Sequence, residues 1–394
     1  MKKYAAPSLL LMIVLVAFPQ ISETVYTPSL PDISAAMGVS NSSVQFTLSI
    51  YFIGFALGVF GFGWLSDLIG RRPAMLGGLV VYGAGSLLCF LSESITLLLI
   101  GRFIQAFGAA TGSIITQTML RESVPGEQRH AMFAQISAVI AFTPAVGPLI
   151  GGWIDQAFGF KAVFFSLVAM GFLLFAYAFL KLPETTDVSA RTKAAIVPVV
   201  KKMLSLPRVL AFGALIGGIN GVLFSYYAEA PFLFIERFRL SPGIYGFLGI
   251  FVALASVVGA MISKNLLRTR APERIIHLGC LVMAIGAILL TIASSLSMLP
   301  DIWVMGGIVI AMFALLTGAG IALPNCLSLA LTDFKEVIGT AGAVFSLGYY
   351  LLVSAATWGM SVLHNGSLLT MPLYFVGISL GMLIIGVKYI RAGK

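Results

Sequence analysis

Glu23, Arg102 and Glu229 each lie inside a long apolar stretch of a chain that otherwise keeps its charges in short loops. An ionisable side chain at the centre of a bilayer costs at least ~2.5–3.5 kcal/mol, so such groups face a cavity or a partner and mark ion or substrate pathways. A carboxyl held in a poorly hydrated cavity can take up and release a proton near neutral pH. Arginine does not titrate there, so Arg102 acts as a fixed charge. Proton exchange at one or both acids, answered by a permanent cation, is the chemistry these three residues allow.

The elements that would position them are membrane helices. The 394 residues are 59% hydrophobic and 10% charged, against about 25% charged for a soluble globule. A helix needs about 20 apolar residues to cross the hydrocarbon layer. That ruler predicts spans at 7–28, 43–65, 74–92, 96–119, 131–154, 160–181, 209–235, 242–264, 274–295, 300–323, 337–359 and 369–390. Met1-Lys2-Lys3 before the first run imitates a secretory signal, but no small-residue cleavage site follows and eleven more spans do, so the run is read as the first helix.

Of the 24 Lys and Arg, all but Arg102, Lys161, Arg237 and Arg239 fall in segments that are cytoplasmic if the N-terminus is. This bias places both termini inside. The net charge of +9 then reflects topology and contact with anionic lipid, and gives no argument for nucleic acid. Cys89, Cys280 and Cys326 fall within spans without paired spacing and read as core residues.

The longest polar interruption, within residues 182–208, separates a first bundle, 1–181, from a second, 209–394. Glu23 and Glu229 each sit late in the first helix of their half. Two six-helix halves related about the membrane normal, with a site between them near the midplane, are expected of a rocking carrier. The fold expected is therefore an all-α membrane protein of twelve helices in two pseudo-symmetric bundles.

Four motifs carry a family resemblance. Between the second and third spans runs Gly63-Trp64-Leu65-Ser66-Asp67-Leu68-Ile69-Gly70-Arg71-Arg72-Pro73. Gly63 permits close helix contact, Gly70 a tight turn, and Arg71 and Arg72 anchor the turn at the membrane face. The stretch resembles the signature loop of the major facilitator superfamily, with Leu68 replacing a usual basic residue. The resemblance implies that this loop latches the two halves, Asp67 meeting basic groups and the start of the eleventh helix. The fourth span, Gly101-Arg102-Phe103-Ile104-Gln105, is similar to the family's arginine motif, and residues 102, 105, 109, 112 and 116 share one helical face. The resemblance makes Arg102 the group that biases a nearby carboxylate; capping carbonyls of neighbouring helices is the alternative.

The fifth span carries Gly147-Pro148-Leu149-Ile150-Gly151-Gly152, which resembles the antiporter motif of drug:proton exchangers, with Thr143 in place of a usual glycine. Its small residues allow close packing and Pro148 bends the helix. The first span's Glu23-Thr24-Val25-Tyr26-Thr27-Pro28 resembles the acid-x-Tyr-x-Pro entry of Bcr/CflA-like drug:proton antiporters. Thr24 stands where the family has its acid, so Glu23 is turned about 100° around the helix. Glu229, in a segment resembling the seventh helix of that group, is the preferred proton site, because the displaced register leaves the orientation of Glu23 open. Candidate substrate contacts are Tyr226, Asn220, Gln105, Tyr26, Phe55, Tyr349 and Asn325, though a core role competes for every aromatic. A largely apolar pocket with few polar points suits amphipathic ligands.

These residues lead us to expect a proton-coupled exporter of small organic molecules such as drugs, working by alternating access as a monomer in a bacterial inner membrane. Its partners would be substrate, protons and lipid. Export of a dedicated metabolite such as a siderophore, or proton-driven nutrient uptake, would share the fold. No hydrolase or metalloprotease motif and no intramembrane His or Asp pair is present, so neither an enzyme nor a metal or cofactor is expected.

Overall fold

The computed structural model describes residues 7–123, 126–185, 196–296 and 298–390. The described residues form helices and turns only. In the first half these are α1 (Leu9–Thr24), α2 (Leu30–Met37), α3 (Asn41–Ile69), α4 (Arg71–Leu91), α5 (Ile95–Ser123), α6 (Gly126–Phe158) and α7 (Phe160–Lys181). A short helix α8 (Ile196–Leu204) precedes the second half: α9 (Pro207–Pro231), α10 (Pro242–Leu266), α11 (Pro272–Ser295), α12 (Asp301–Leu329), α13 (Ile338–Leu363) and α14 (Thr370–Tyr389). Eleven segments among the described residues are long and apolar enough to cross a membrane, and α6, at 33 residues, also has spanning length. The predicted spans recur, commonly longer at one end because a helix runs on past the apolar layer.

Two departures have proline chemistry behind them. The first span is broken: α1 ends at Thr24, a single 3-10 turn covers Thr27–Ser29 with Pro28 in it, and α2 resumes with Pro31 in its first turn. Proline lacks the N–H that an uninterrupted ladder would need there. The seventh span ends its regular part at Pro231 and continues as a π-helical turn, Phe232–Arg237. The segment between the halves also contains an ordered element, since α8 is helical with Val199 and Met203 buried. The basic cluster at Arg191 and Lys193 lies outside the described residues, as do Lys2, Lys3, Arg391 and Lys394.

Within each half, helices close on one another at glycines. A Cβ at Gly85 or Gly108 would strike the backbone of the facing helix in the α4–α5 pair, and Gly279 and Gly318 do the same for α11 and α12. Such small positions let membrane helices pack by van der Waals contact without a hydrophobic driving force. Between halves, α3 packs on α13 and α6 on α10. Two faces follow: the linker face, which carries α8, Glu184 and the Asp67 turn, and the far face, which carries the α2–α3 and α13–α14 connections.

Candidate functional site

Arg102 projects from α5 and is completely buried. Its guanidinium lies between two phenol rings, 3.9 Å from the centre of Tyr26 and 4.3 Å from that of Tyr51. A desolvated cation over aromatic faces gains about 2 kcal/mol or more. Nη1 donates to the Ser22 carbonyl at 3.3 Å and to Gln105 Oε1, and Gln105 passes the chain on to Ser86 Oγ at 2.8 Å. Nε and Nη2 have no hydrogen-bond partner among the described residues. Gln105 and Tyr26 therefore hold Arg102 inside the first bundle; the Tyr26 hydroxyl is engaged with Thr47 at 2.8 Å.

Glu23 faces this cation. Its residue is 7% exposed, the Arg102 charge acts on its carboxyl, and no hydrogen bond to that carboxyl occurs among the described residues. The Glu23 charge is in turn felt by Tyr51 of the first half and by Tyr227, Tyr349 and Tyr350 of the second. The displaced register explains the direction. Thr24 turns to α6, where a Cβ on Gly147 would collide with its hydroxyl and one on Gly151 with the Val25 carbonyl; the neighbouring Glu23 consequently points between the halves.

That space is filled by rings. Phe52 stands 4.5 Å from Phe224, Phe55 4.8 Å from Tyr350, and Tyr349 4.4 Å from Tyr350 between ring centres. Phe55 and Tyr349 thus belong to an aromatic seam between the halves, near Glu23. Asn220, half-buried on α9, donates to the Ile216 carbonyl at 2.9 Å. Two expected contacts are placed elsewhere. Tyr226 lines a small recess with Leu248, Val252 and Met312, and Asn325 donates to Ser263 Oγ at 2.7 Å, so both are turned into the second bundle. In each case a second-half helix packs against that side of the residue's own helix.

Glu229 lies in different company. Gln45 Nε2 donates to its Oε2 at 2.6 Å, and His364 Nδ1 lies 2.8 and 3.0 Å from its two oxygens. Burial disfavours a charged His364, but the hydrogen bond and charge of Glu229, with Glu236 adding to them, outweigh burial and hold its pKa above the ordinary value. The expectation that both acids line one central cavity, with Glu229 the preferred proton site, is corrected here: Glu229 is in the far-face seal, two residues before the Pro231 break.

The signature turn is knit to its own bundle. Gly70 has φ +104°, and a Cβ there would meet Glu184. The Glu184 carboxylate accepts the backbone N–H of Arg71 at 3.0 Å and of Arg72 at 3.1 Å, satisfying the otherwise orphaned donors at the start of α4. Arg71 grips Asp67, Ser66 Oγ at 2.7 Å and both oxygens of Glu122 at 2.7 and 3.2 Å, while Arg72 donates to the Phe179 carbonyl. Gly63 of the motif borders α13, where an added Cβ would lie 3.8 Å from Ala343. The glycines of the other motif seal the far face: a Cβ on Gly152 would strike the Pro242 carbonyl, and the Pro148 carbonyl receives Gly246.

Gln45, His364, Glu122 and Glu184 were not among the expected site residues. Glu122 and Glu184 sit in polar turns where any acid is ordinary. Gln45 had a readable signal, because Asn41, Gln45 and Ser49 recur every four residues on one face of α3.

The Major Facilitator Superfamily profile matches residues 12–357. An uncharacterized transporter of Rickettsia bellii (strain RML369-C) is 34% identical over 379 residues, covering 94% of this chain and 93% of that protein. A chloramphenicol resistance protein of Pseudomonas aeruginosa is 28% identical over 377 residues, covering 94% and 87%. The crystal structure of a D-xylose-proton symporter superposes with a TM-score of 0.78 at 16% identity, covering 97% of each chain; at that identity the likeness shows the fold. The two six-helix bundles, the signature turn and the family match over most of the chain agree: this is a multi-pass membrane transporter of small molecules, not an enzyme, and it belongs to the Major Facilitator Superfamily.

Proposed function

We propose that the chain exports small amphipathic organic molecules across the bacterial inner membrane in exchange for protons, as a monomer, with the linker face and both termini in the cytoplasm. The observation that carries this reading is the Glu23 carboxyl, without a hydrogen bond among the described residues, set between the fixed Arg102 charge and the inter-half tyrosines. The cation distribution supports the orientation. The printed name of the Pseudomonas relative supports a drug-like substrate class.

The cycle follows from electrostatics. With the site open to the outside, a proton from the medium neutralises Glu23 and the Arg102 charge loses its answering anion. Substrate held in the aromatic seam by Phe55, Tyr349 and their neighbours, with Asn220 as a polar contact, is released outward. With the site open to the cytoplasm the proton leaves Glu23, its charge returns and substrate binds again. One charge moved through 100 mV is worth about 2.3 kcal/mol, a drive of roughly 50-fold. Asp67, Arg71, Arg72, Gly63 and Gly70 stiffen the linker-face turn, and Gly147, Pro148, Gly151 and Gly152 close the far face between half-cycles.

The test is substrate movement in proteoliposomes with an imposed proton gradient of either sign. Uphill accumulation opposite to the proton flux, lost in Glu23→Gln together with weaker, pH-independent substrate binding, is the expected result. Accumulation in the same direction as the protons would replace export by uptake.

A further inference from the structure

Three side chains of α3 spaced four residues apart bond across to the other half. Asn41 Nδ2 donates to Glu236 Oε2 at 3.1 Å, Gln45 Nε2 to Glu229 Oε2 at 2.6 Å, and Ser49 exchanges hydrogen bonds with Ser354 at 2.9 and 3.0 Å. The rungs climb from the rim inward: Asn41 is half-buried, Gln45 and Ser49 are essentially inaccessible. On the receiving side Glu229 and Glu236 belong to the seventh span, and Ser354 and His364 to α13 and its cap. Separating the halves at the far face breaks all three rungs together, whereas the Glu229–His364 pair, wholly within the second half, travels as a unit.

The middle rung differs from the others in having a charge at stake. A hydrogen bond to an ionised acceptor is about twice as strong as a neutral one, so its strength depends on Glu229 remaining a carboxylate. His364 orients that acceptor: Nδ1 reaches both oxygens, and the Phe232 ring, 5.4 Å from the imidazole between centres, covers it. The charged or titratable groups facing His364 are Glu229 and Glu236; the uncharged Gln45 amide closes the other side at 3.1 Å.

We infer that Asn41, Gln45 and Ser49 form the far-face gate latch, in which His364 is a positioning residue that holds the Glu229 carboxyl as the acceptor for Gln45. Glu229 on this account holds the gate and is not the group that carries the coupled proton. The inference deepens the transport reading and rests on it only in assuming that the halves part at this face during the cycle.

The gate can be read without transport. Spin labels at Ser43 and Val362, on opposite lips of the same crevice, report separation of the halves. Gln45→Leu and His364→Ala should each enlarge the open population by about tenfold, with no change in a second label pair confined to the first bundle. Gln45→Glu sets a carboxylate against Glu229, so it should open the gate at neutral pH and close it again in acid, when the protonated acid mimics the amide; a packing role alone would not reverse. Unchanged Ser43–Val362 distances in all three folded variants overturn the latch, as does equal loosening of the control pair. If Gln45→Leu fails to fold, Gln45→Glu in acid supplies the folded reference. Glu23→Gln should leave the response of the latch to Gln45→Leu intact, so loss of proton coupling and loss of the gate are separable results.

Discussion

Glu23 and Glu229 each lie late in the first helix of their half, and both are nearly inaccessible, at 7% and 6%, yet their surroundings are opposite. Glu229 is bonded to an amide and an imidazole within 3.0 Å. Glu23 has a cation and several phenols around it and no hydrogen bond among the described residues. Close donors fix the Glu229 carboxyl in place, whereas among the described residues the Glu23 carboxyl answers only to the Arg102 charge. On the exchange reading proposed above, Glu23 moves the proton and Glu229 holds the gate, a division that follows from their different packing.

The sharpest way to break that comparison is to neutralise each acid. Glu23→Gln should lower the sustained uphill gradient by roughly 50-fold, the gradient that one coupled charge supports at about 100 mV, while downhill exchange continues. Glu229→Gln should leave a measurable uphill gradient and raise the leak. The reverse pattern in a paired proteoliposome assay would exchange the two roles.

Next in size is the seal that turns Glu23 inward. Gly151→Val puts a branched side chain into the Val25 carbonyl, and overpacking of this kind costs about 1–3 kcal/mol. We expect a lowered melting temperature in detergent together with lost transport, because α1 must move off α6 and carry Glu23 with it. Gly77→Val, at a position with no atom within 4 Å of an added Cβ, is the matched control and should be tolerated.

Removing His364 should have a smaller, pH-dependent effect. Its folded pKa is raised by Glu229 above the ordinary value, so its contribution is complete below the unfolded pKa, about 6.5, and is lost as pH rises through the raised folded value. His364→Ala should therefore destabilise the protein by about 1–2 kcal/mol in mild acid and by much less in alkali. A thermal-shift series from pH 5.5 to 9.5 on both proteins checks the sign; equal losses at every pH would mean that the imidazole only packs.

How far the sequence discloses this arrangement depends on the kind of signal. The spans were legible because a hydrocarbon layer imposes length and apolarity on every crossing helix, and their apolar cores recur in α1, in α3 through α7 and in α9 through α14. Arg102 and the two acids announced themselves by the cost of charge in that layer. Their partners did not, because a partner is defined across helices: Gln45 and His364 are 319 residues apart and Glu184 is 113 from Arg71. The one-residue displacement of Glu23 looked like a defect in register, and became intelligible only once Thr24 was seen filling the groove offered by Gly147.

The smallest expected effect concerns substrate choice, and it sharpens the boundary between the seam and the bundles. Phe55 and Tyr349 stand in the ring cluster between the halves, Phe55 against Tyr350 across the interface, whereas Tyr226 and Asn325 point into the second bundle. Loss of one stacked ring from a ligand site is worth about 0.5–1.5 kcal/mol beyond its area, a factor of roughly 2–10 in affinity. Tyr349→Ala and Phe55→Ala should therefore reorder a panel of aromatic and aliphatic substrates by such factors. Tyr226→Phe keeps the ring that packs against Leu248 and Met312 and should leave the order unchanged. The measurement is competition against one labelled substrate at fixed proton gradient. A reordered panel in Tyr226→Phe, with Tyr349→Ala silent, would move the ligand out of the seam and into the cleft between α9, α10 and α12.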